Sequence, residues 1–140
     1  MHELITKRRV EFSDTDAGGV MHFSRYFIFM ESAEDEFLRA VGASFTHPIE
    51  GRPGGWPKVQ ATCEYLASAR YGDMLEIHVA VAKRSRRTIT WRFTLRREGV
   101  EIARGRTVSV CCAQAEDGRF VAVPIPAELS ARIQEAPEQG

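Results

Sequence analysis

The chain has 140 residues, 44% of them hydrophobic and 27% charged, with 19 Lys+Arg against 19 Asp+Glu and no formal net charge. This is enough for one domain over 1–140 with a single core, and a balanced charge gives no long-range field for nucleic acid or an anionic membrane while easing self-association. Cys63, Cys111 and Cys112 form neither a disulfide framework nor a C-x-x-C zinc pair, and the polar start MHELITKRRVEF and the lack of any apolar run near about 18 residues make the cytoplasm the expected location.

In chain order, ELITKRRVEF reads as a first strand and residues 13–22 as a loop carrying Asp14, Asp16, Gly18 and Gly19. Phe23, Tyr26, Phe27, Met30, Ala33, Phe37, Leu38 and Val41 fall at helical spacing. They predict a long helix from about Ser24 to Val41, stopped by Gly42. A Gly/Pro-rich loop runs from about Ala43 to Pro57. The remainder alternates as strands do: Val59–Ala67, then an RYGD turn; Met74–Ala82, then the basic turn KRSRR; Thr88–Leu95, then a tight turn around Gly99. One long strand is expected over Glu101–Ala113, with Cys111 and Cys112 on opposite faces. A short FVAV strand follows, then a helix AELSARIQ opened by Pro126, and a frayed tail EAPEQG. One strand, one long helix and a run of antiparallel strands make an α+β chain. Helix and sheet can bury their apolar faces only against each other, so the sheet should wrap the helix. Open sheet edges favour a second subunit.

The stretch DTDAGGVMHFSRYFIFMESA resembles the amino-terminal motif of the 4-hydroxybenzoyl-CoA thioesterase family, the hot-dog-fold acyl-CoA thioesterases. Asp14, Asp16, Gly19, Tyr26 and Glu31 stand at the motif's places, and YGDMLEIHVAV with the basic turn before TITWRF continues the likeness over nearly the whole chain. The resemblance implies a hot-dog fold and hydrolysis of an acyl- or aroyl-CoA thioester. It implies Asp16 as the catalytic carboxylate, the Phe23 N–H as oxyanion donor, and Gly19, His22, Phe23, Tyr26 and Glu31 as substrate-binding residues. Arg86 and Arg87 are implied as contacts to CoA phosphates. No metal and no separate cofactor are implied, since CoA belongs to the substrate. The implied partners are acyl-CoA and further copies of the chain, in a dimer or tetramer with active sites at the subunit boundary. Some family members carry a His where this chain has Phe23, which weakens the case for a fixed catalytic role of histidine here, although His22 could polarise substrate or orient water.

The chemistry accounts for the layout. Thioester hydrolysis needs a carboxylate as nucleophile or base and donors for the developing oxyanion. A helix start offers unpaired N–H groups and a positive dipole end. Each residue also has a plainer reading: Asp14 and Asp16 as turn and cap residues, His22 as a hydrogen-bonded structural residue, Tyr26 as core, Glu31 as a solvated charge, and Arg84, Arg86 and Arg87 as a solvated hairpin tip. Asp14 is read as holding the loop. Glu34 stands inside the apolar face of the helix and must be paired or protonated; a partner across a subunit interface or a contact to substrate would each serve. Trp91 and Trp56 read as packing residues, Trp56 also as a pocket-lining candidate. The competing functions are a hot-dog hydratase or dehydratase, whose His-and-acid spacing is absent, and a non-catalytic acyl-CoA-binding module.

Overall fold

A computed structural model describes residues 1–138. Strand β1 spans Glu3–Arg9 and a single 3-10 turn spans Phe12–Asp14. Helix α1 follows at Arg25–Ala40, and then strands β2 (Gly54–Gly55), β3 (Lys58–Tyr65), β4 (Met74–Arg84), β5 (Thr88–Arg97), β6 (Val100–Val110), β7 (Cys112–Gln114) and β8 (Phe120–Ala122). A four-residue helix α2 spans Ala127–Ser130. Five strands form one antiparallel sheet in the order β1-β4-β5-β6-β3, and β2, β7 and β8 form a small second sheet. This is the expected α+β architecture, and α1 runs to within one residue of the predicted ends.

Helix α1 buries Tyr26, Phe29, Met30, Ala33, Phe37 and Leu38. They pack on the inward residues of β4 and β5, where the Phe37 ring meets Trp91 edge-on at 5.0 Å. Arg132 donates to the Val41 carbonyl at 3.1 Å and so places a cation at the helix end where the dipole favours one. Gly105 on β6 allows a close approach. A Cβ there would come 2.3 Å from the Met30 thioether, so Met30 packs straight onto the strand backbone.

Glu34, the polar break in the helix stripe, is 1% exposed. Its carboxylate is held by Lys58 Nζ at 2.5 Å and by the Ser109 hydroxyl at 2.9 Å. The partner is therefore in the same chain. Burial pushes the Glu34 carboxyl above its ordinary value, with Lys58 pulling in the opposite direction. The pair clips the edge strand β3 to α1. Most residues of β3 are nonetheless exposed.

Several expectations need correction. The strand expected over Glu101–Ala113 is two strands. Cys111 sends its N–H to the Arg87 carbonyl at 2.7 Å and accepts the Val123 N–H at 2.9 Å, so the chain leaves one sheet there and enters the other. Cys111 therefore lies between the two strands, and it and Cys112 are both buried. Burial raises the Cys111 thiol to about 11, which leaves little thiolate at neutral pH. The first strand stops at Arg9 because Phe12–Asp14 turns, and the last helix stops at Ser130. The tail is held as far as Ala136, whose N–H donates to the Val81 carbonyl at 2.8 Å; Gln139 and Gly140 lie outside the described residues. Trp56 is buried. Among the described residues no helix is long and apolar enough to cross a membrane.

Candidate active site

The loop before α1 is organised by Asp14, which is 2% exposed. One carboxylate oxygen accepts the Glu11 N–H at 2.8 Å, and the other accepts Arg25 Nε at 3.0 Å from the first turn of α1. Its carbonyl accepts the His22 N–H at 2.8 Å. Asp14 thus closes the loop on itself. Between these anchors the chain makes a narrow turn: Thr15 bridges Met21, and the Asp16 N–H donates to the Val20 carbonyl at 2.8 Å. Gly19 sits at φ +78°, a backbone region that side chains disfavour. Met21 donates to the Ala69 carbonyl at 2.8 Å, which pins the loop to the segment after β3.

Asp16 projects from this turn and is exposed. Its Oδ1 accepts the Gly18 N–H at 2.8 Å. Among the described residues Oδ2 has no hydrogen-bond donor. Asp16, Phe23, Tyr26 and Tyr65 line one open cleft of about 400 Å³. The Phe23 N–H, just ahead of α1, meets no acceptor among the described residues, while its carbonyl accepts the Tyr65 hydroxyl at 2.9 Å. Tyr26 is buried edge-on against Tyr65 at 4.9 Å, and burial raises its phenol above the ordinary value. His22 stacks on the Phe23 ring at 4.6 Å. Its Nδ1 lies 2.7 Å from the Ser24 hydroxyl and 3.2 Å from the Ser24 N–H. An Nδ1 that accepts satisfies both contacts, and a neutral ring then carries its proton on Nε2.

The residues singled out in the sequence therefore divide. Asp16, Phe23 and Tyr26 meet at the cleft, Gly19 shapes the Asp16 turn, and His22 backs Phe23. Glu31 lies elsewhere, beside Lys58 on a separate small cavity. Arg86 and Arg87 are exposed on the β4–β5 turn and outside the cleft lining. Their carbonyls accept the N–H groups of Ile125 and Cys111, so the turn's backbone is fixed while the side chains are not. The sequence reading did not single out Arg25 and Tyr65. Arg25 lies 11 residues from Asp14 and Tyr65 lies 42 from Phe23, with no local pattern to mark either contact. Among the described residues no cluster of three or more His, Cys, Asp or Glu is placed to hold a metal.

Four known proteins or families resemble the chain. The model of the thioesterase-like superfamily matches residues 10–133. A protein of Aquifex aeolicus that carries a provisional esterase name is 34% identical over 122 residues, covering 86% of this chain and 91% of the relative. The acyl-CoA thioesterase YbgC of Haemophilus influenzae is 29% identical over 123 residues, covering 88% of each. The fold also matches the structure of 4-hydroxybenzoyl CoA thioesterase from Pseudomonas sp. strain CBS-3, with a TM-score of 0.80 at 17% identity over 94% of this chain and 99% of that one. At that identity the likeness shows the hot-dog fold alone.

The two aspartates should separate in a stability assay. Asp14→Ala strands the Glu11 N–H and Arg25, and should lower unfolding free energy by about 2–3 kcal/mol. Asp16→Ala loses an exposed turn contact and should cost less than about 1 kcal/mol. Urea denaturation of both variants checks the order.

Proposed function

The chain belongs to the thioesterase-like superfamily, and from its cleft we propose that it hydrolyses an acyl-CoA thioester to the free acid and CoA. The observation that carries this reading is the pairing of an exposed Asp16 Oδ2 with an unengaged Phe23 N–H at the start of α1, both on one cleft. The thioester carbonyl oxygen accepts from the Phe23 N–H, aided by the positive end of the helix. Oδ2 of Asp16 is the reacting oxygen, because Oδ1 is held by Gly18.

Two routes use this arrangement. As base, Asp16 takes a proton from water as the water oxygen bonds to the carbonyl carbon. The tetrahedral oxyanion then collapses, the C–S bond breaks, and the CoA thiolate recovers the proton. As nucleophile, Oδ2 bonds to the carbonyl carbon itself, CoA departs, and water cleaves the resulting anhydride. Gly19, His22, Phe23 and Tyr26 surround the thioester under either route, while Glu31 lies farther along α1 on the acyl side. Arg86 and Arg87 supply cations for the CoA phosphates, and no metal or separate cofactor is needed. The active form is a homodimer or a tetramer built from it. The bare edge of β3, with Val59, Tyr65 and Leu66 each about half exposed or more, pairs with the same edge of a second copy and sets the cleft at the boundary. The expected setting is the cytoplasm.

Asp16→Asn keeps shape and removes charge. It should lower kcat on a well-used acyl-CoA by about a hundredfold or more with oligomer size and circular dichroism unchanged; near-full turnover measured as CoA release would remove Asp16 from the chemistry. Replacing Arg86 and Arg87 together with Ala should raise KM with little change in kcat, and more so at low salt; an unchanged KM leaves a solvated hairpin tip. Light scattering at micromolar concentration should show a dimer or tetramer, and a stable monomer would refute the β3 pairing.

A further inference from the structure

Two peptide planes meet at Phe23. The first carries the proposed oxyanion donor, the Phe23 N–H. It is held at its other end, where the His22 carbonyl accepts the Arg25 N–H at 3.0 Å. The second joins the Phe23 carbonyl to the Ser24 N–H. That N–H meets His22 Nδ1 at 3.2 Å, and the carbonyl accepts the Tyr65 hydroxyl at 2.9 Å across 42 residues of chain. The contact lies at the surface, with Phe23 64% and Tyr65 46% exposed, so water would satisfy the carbonyl without the phenol. What the phenol adds is direction. Its ring is set edge-on against the buried Tyr26 of α1 at 4.9 Å, and Tyr65 is the last residue of β3. The hydroxyl therefore comes from a framed position on the strand.

We infer that Tyr65 is a positioning residue for the oxyanion site, its hydroxyl holding the Phe23 carbonyl toward β3 and so keeping that dipole off the oxygen that the Phe23 N–H binds. The inference rests on the thioesterase reading for the place of the substrate carbonyl. The two dipoles of Phe23 act oppositely there. The N–H attracts a developing oxyanion, and the carbonyl oxygen of the same residue, turned into the cleft, would repel it. Rotation about the Phe23 Cα–C bond is the motion that brings the carbonyl round. That plane lies ahead of α1, whose first residue is Arg25, so no helical bond stops it. Of its two restraints the Tyr65 contact is the shorter, and by donating a proton it also draws negative charge from the carbonyl. The repulsion grows with charge on the substrate oxygen, so it falls on the transition state more than on the bound substrate. Tyr65 lines the same cleft as Asp16, but its hydroxyl is spent on Phe23 and acts through it.

The test is Tyr65→Phe, which keeps the ring on Tyr26 and removes one oxygen at a half-exposed position. On an acyl-CoA that the wild type cleaves, kcat and kcat/KM should fall together by about tenfold, the size of one hydrogen bond. KM, circular dichroism and oligomer size should be unchanged. The second readout is infrared. An acyl-CoA analogue with a methylene in place of sulfur and an isotope-labelled ketone binds without turnover, and its carbonyl stretch falls as donors polarise it. Bound to Tyr65→Phe, the band should lie at higher frequency than when bound to wild type. An equal kcat and an equal band in the two proteins would overturn the assignment. So would a raised KM or a lowered stability with kcat unchanged, which marks a latch between β3 and α1 and nothing more. If no thioester releases CoA yet the band shifts with Tyr65, the hydrolysis reading fails and the positioning of Phe23 stands. If both proteins cleave thioesters equally, the reverse holds. A wild type that neither releases CoA nor lowers the ketone band sinks both.

Discussion

A buried carboxylate with few available partners organises the front of this molecule. Asp14 is almost wholly withdrawn from water, and a charge in that position must be matched by donors. Glu11 supplies a backbone N–H and Arg25 a guanidinium N–H. These two donors lie on either side of the loop, one before it and one in the first turn of α1. Satisfying Asp14 therefore fixes where the helix starts relative to the turn that carries Asp16. The proposed chemistry depends on that relation, because an exposed acid and an unengaged N–H are useful together only when both face one cleft.

A second buried carboxylate, Glu34, lies in the middle of α1. Glu34 is matched by Lys58 and Ser109, and this ties β3 to α1 at one end of the strand. At the other end Tyr65 donates to Phe23. The edge strand is held to the helix by these two polar contacts while both of its faces remain largely open. Between them lie small side chains, Ala61 and Thr107, that leave room under the helix. The cleft at Asp16 and the separate small cavity beside Glu31 thus lie against successive turns of one helix, Tyr26 lining the first and Phe27, Met30 and Glu31 the second. Burial outweighs the ammonium at Glu34, so its carboxyl lies above the ordinary value. A raised acid favours the folded state most at low pH, and that contribution declines as pH rises through the folded value.

The sequence was legible where the signal was local. The apolar stripe of α1 repeats over several turns, and its ends were read to within one residue. Asp16, Gly19 and Phe23 lie within eight residues of one another, and their convergence follows from a turn leading into a helix start. What was not legible depended on distant partners. The break at Cys111 separates two apolar stretches that read as one, because only the bonds to Arg87 and Val123 divide them. Lys58 as the partner of Glu34 is set by the pairing of β3 with β6. Glu31 falls within the same motif as Asp16, yet two helical turns carry it to another cavity.

The proposed hydrolysis requires Asp16 and the Phe23 N–H to address one carbonyl. The most direct measurement is a crystal structure with an acyl-CoA analogue in which a methylene replaces the thioester sulfur, leaving a ketone that cannot be hydrolysed. The ketone oxygen should lie about 2.7–3.1 Å from the Phe23 nitrogen, with Asp16 Oδ2 facing the carbonyl carbon or a water against it. A ketone bound with its oxygen away from Phe23, or with Asp16 turned from the carbon, would contradict the account.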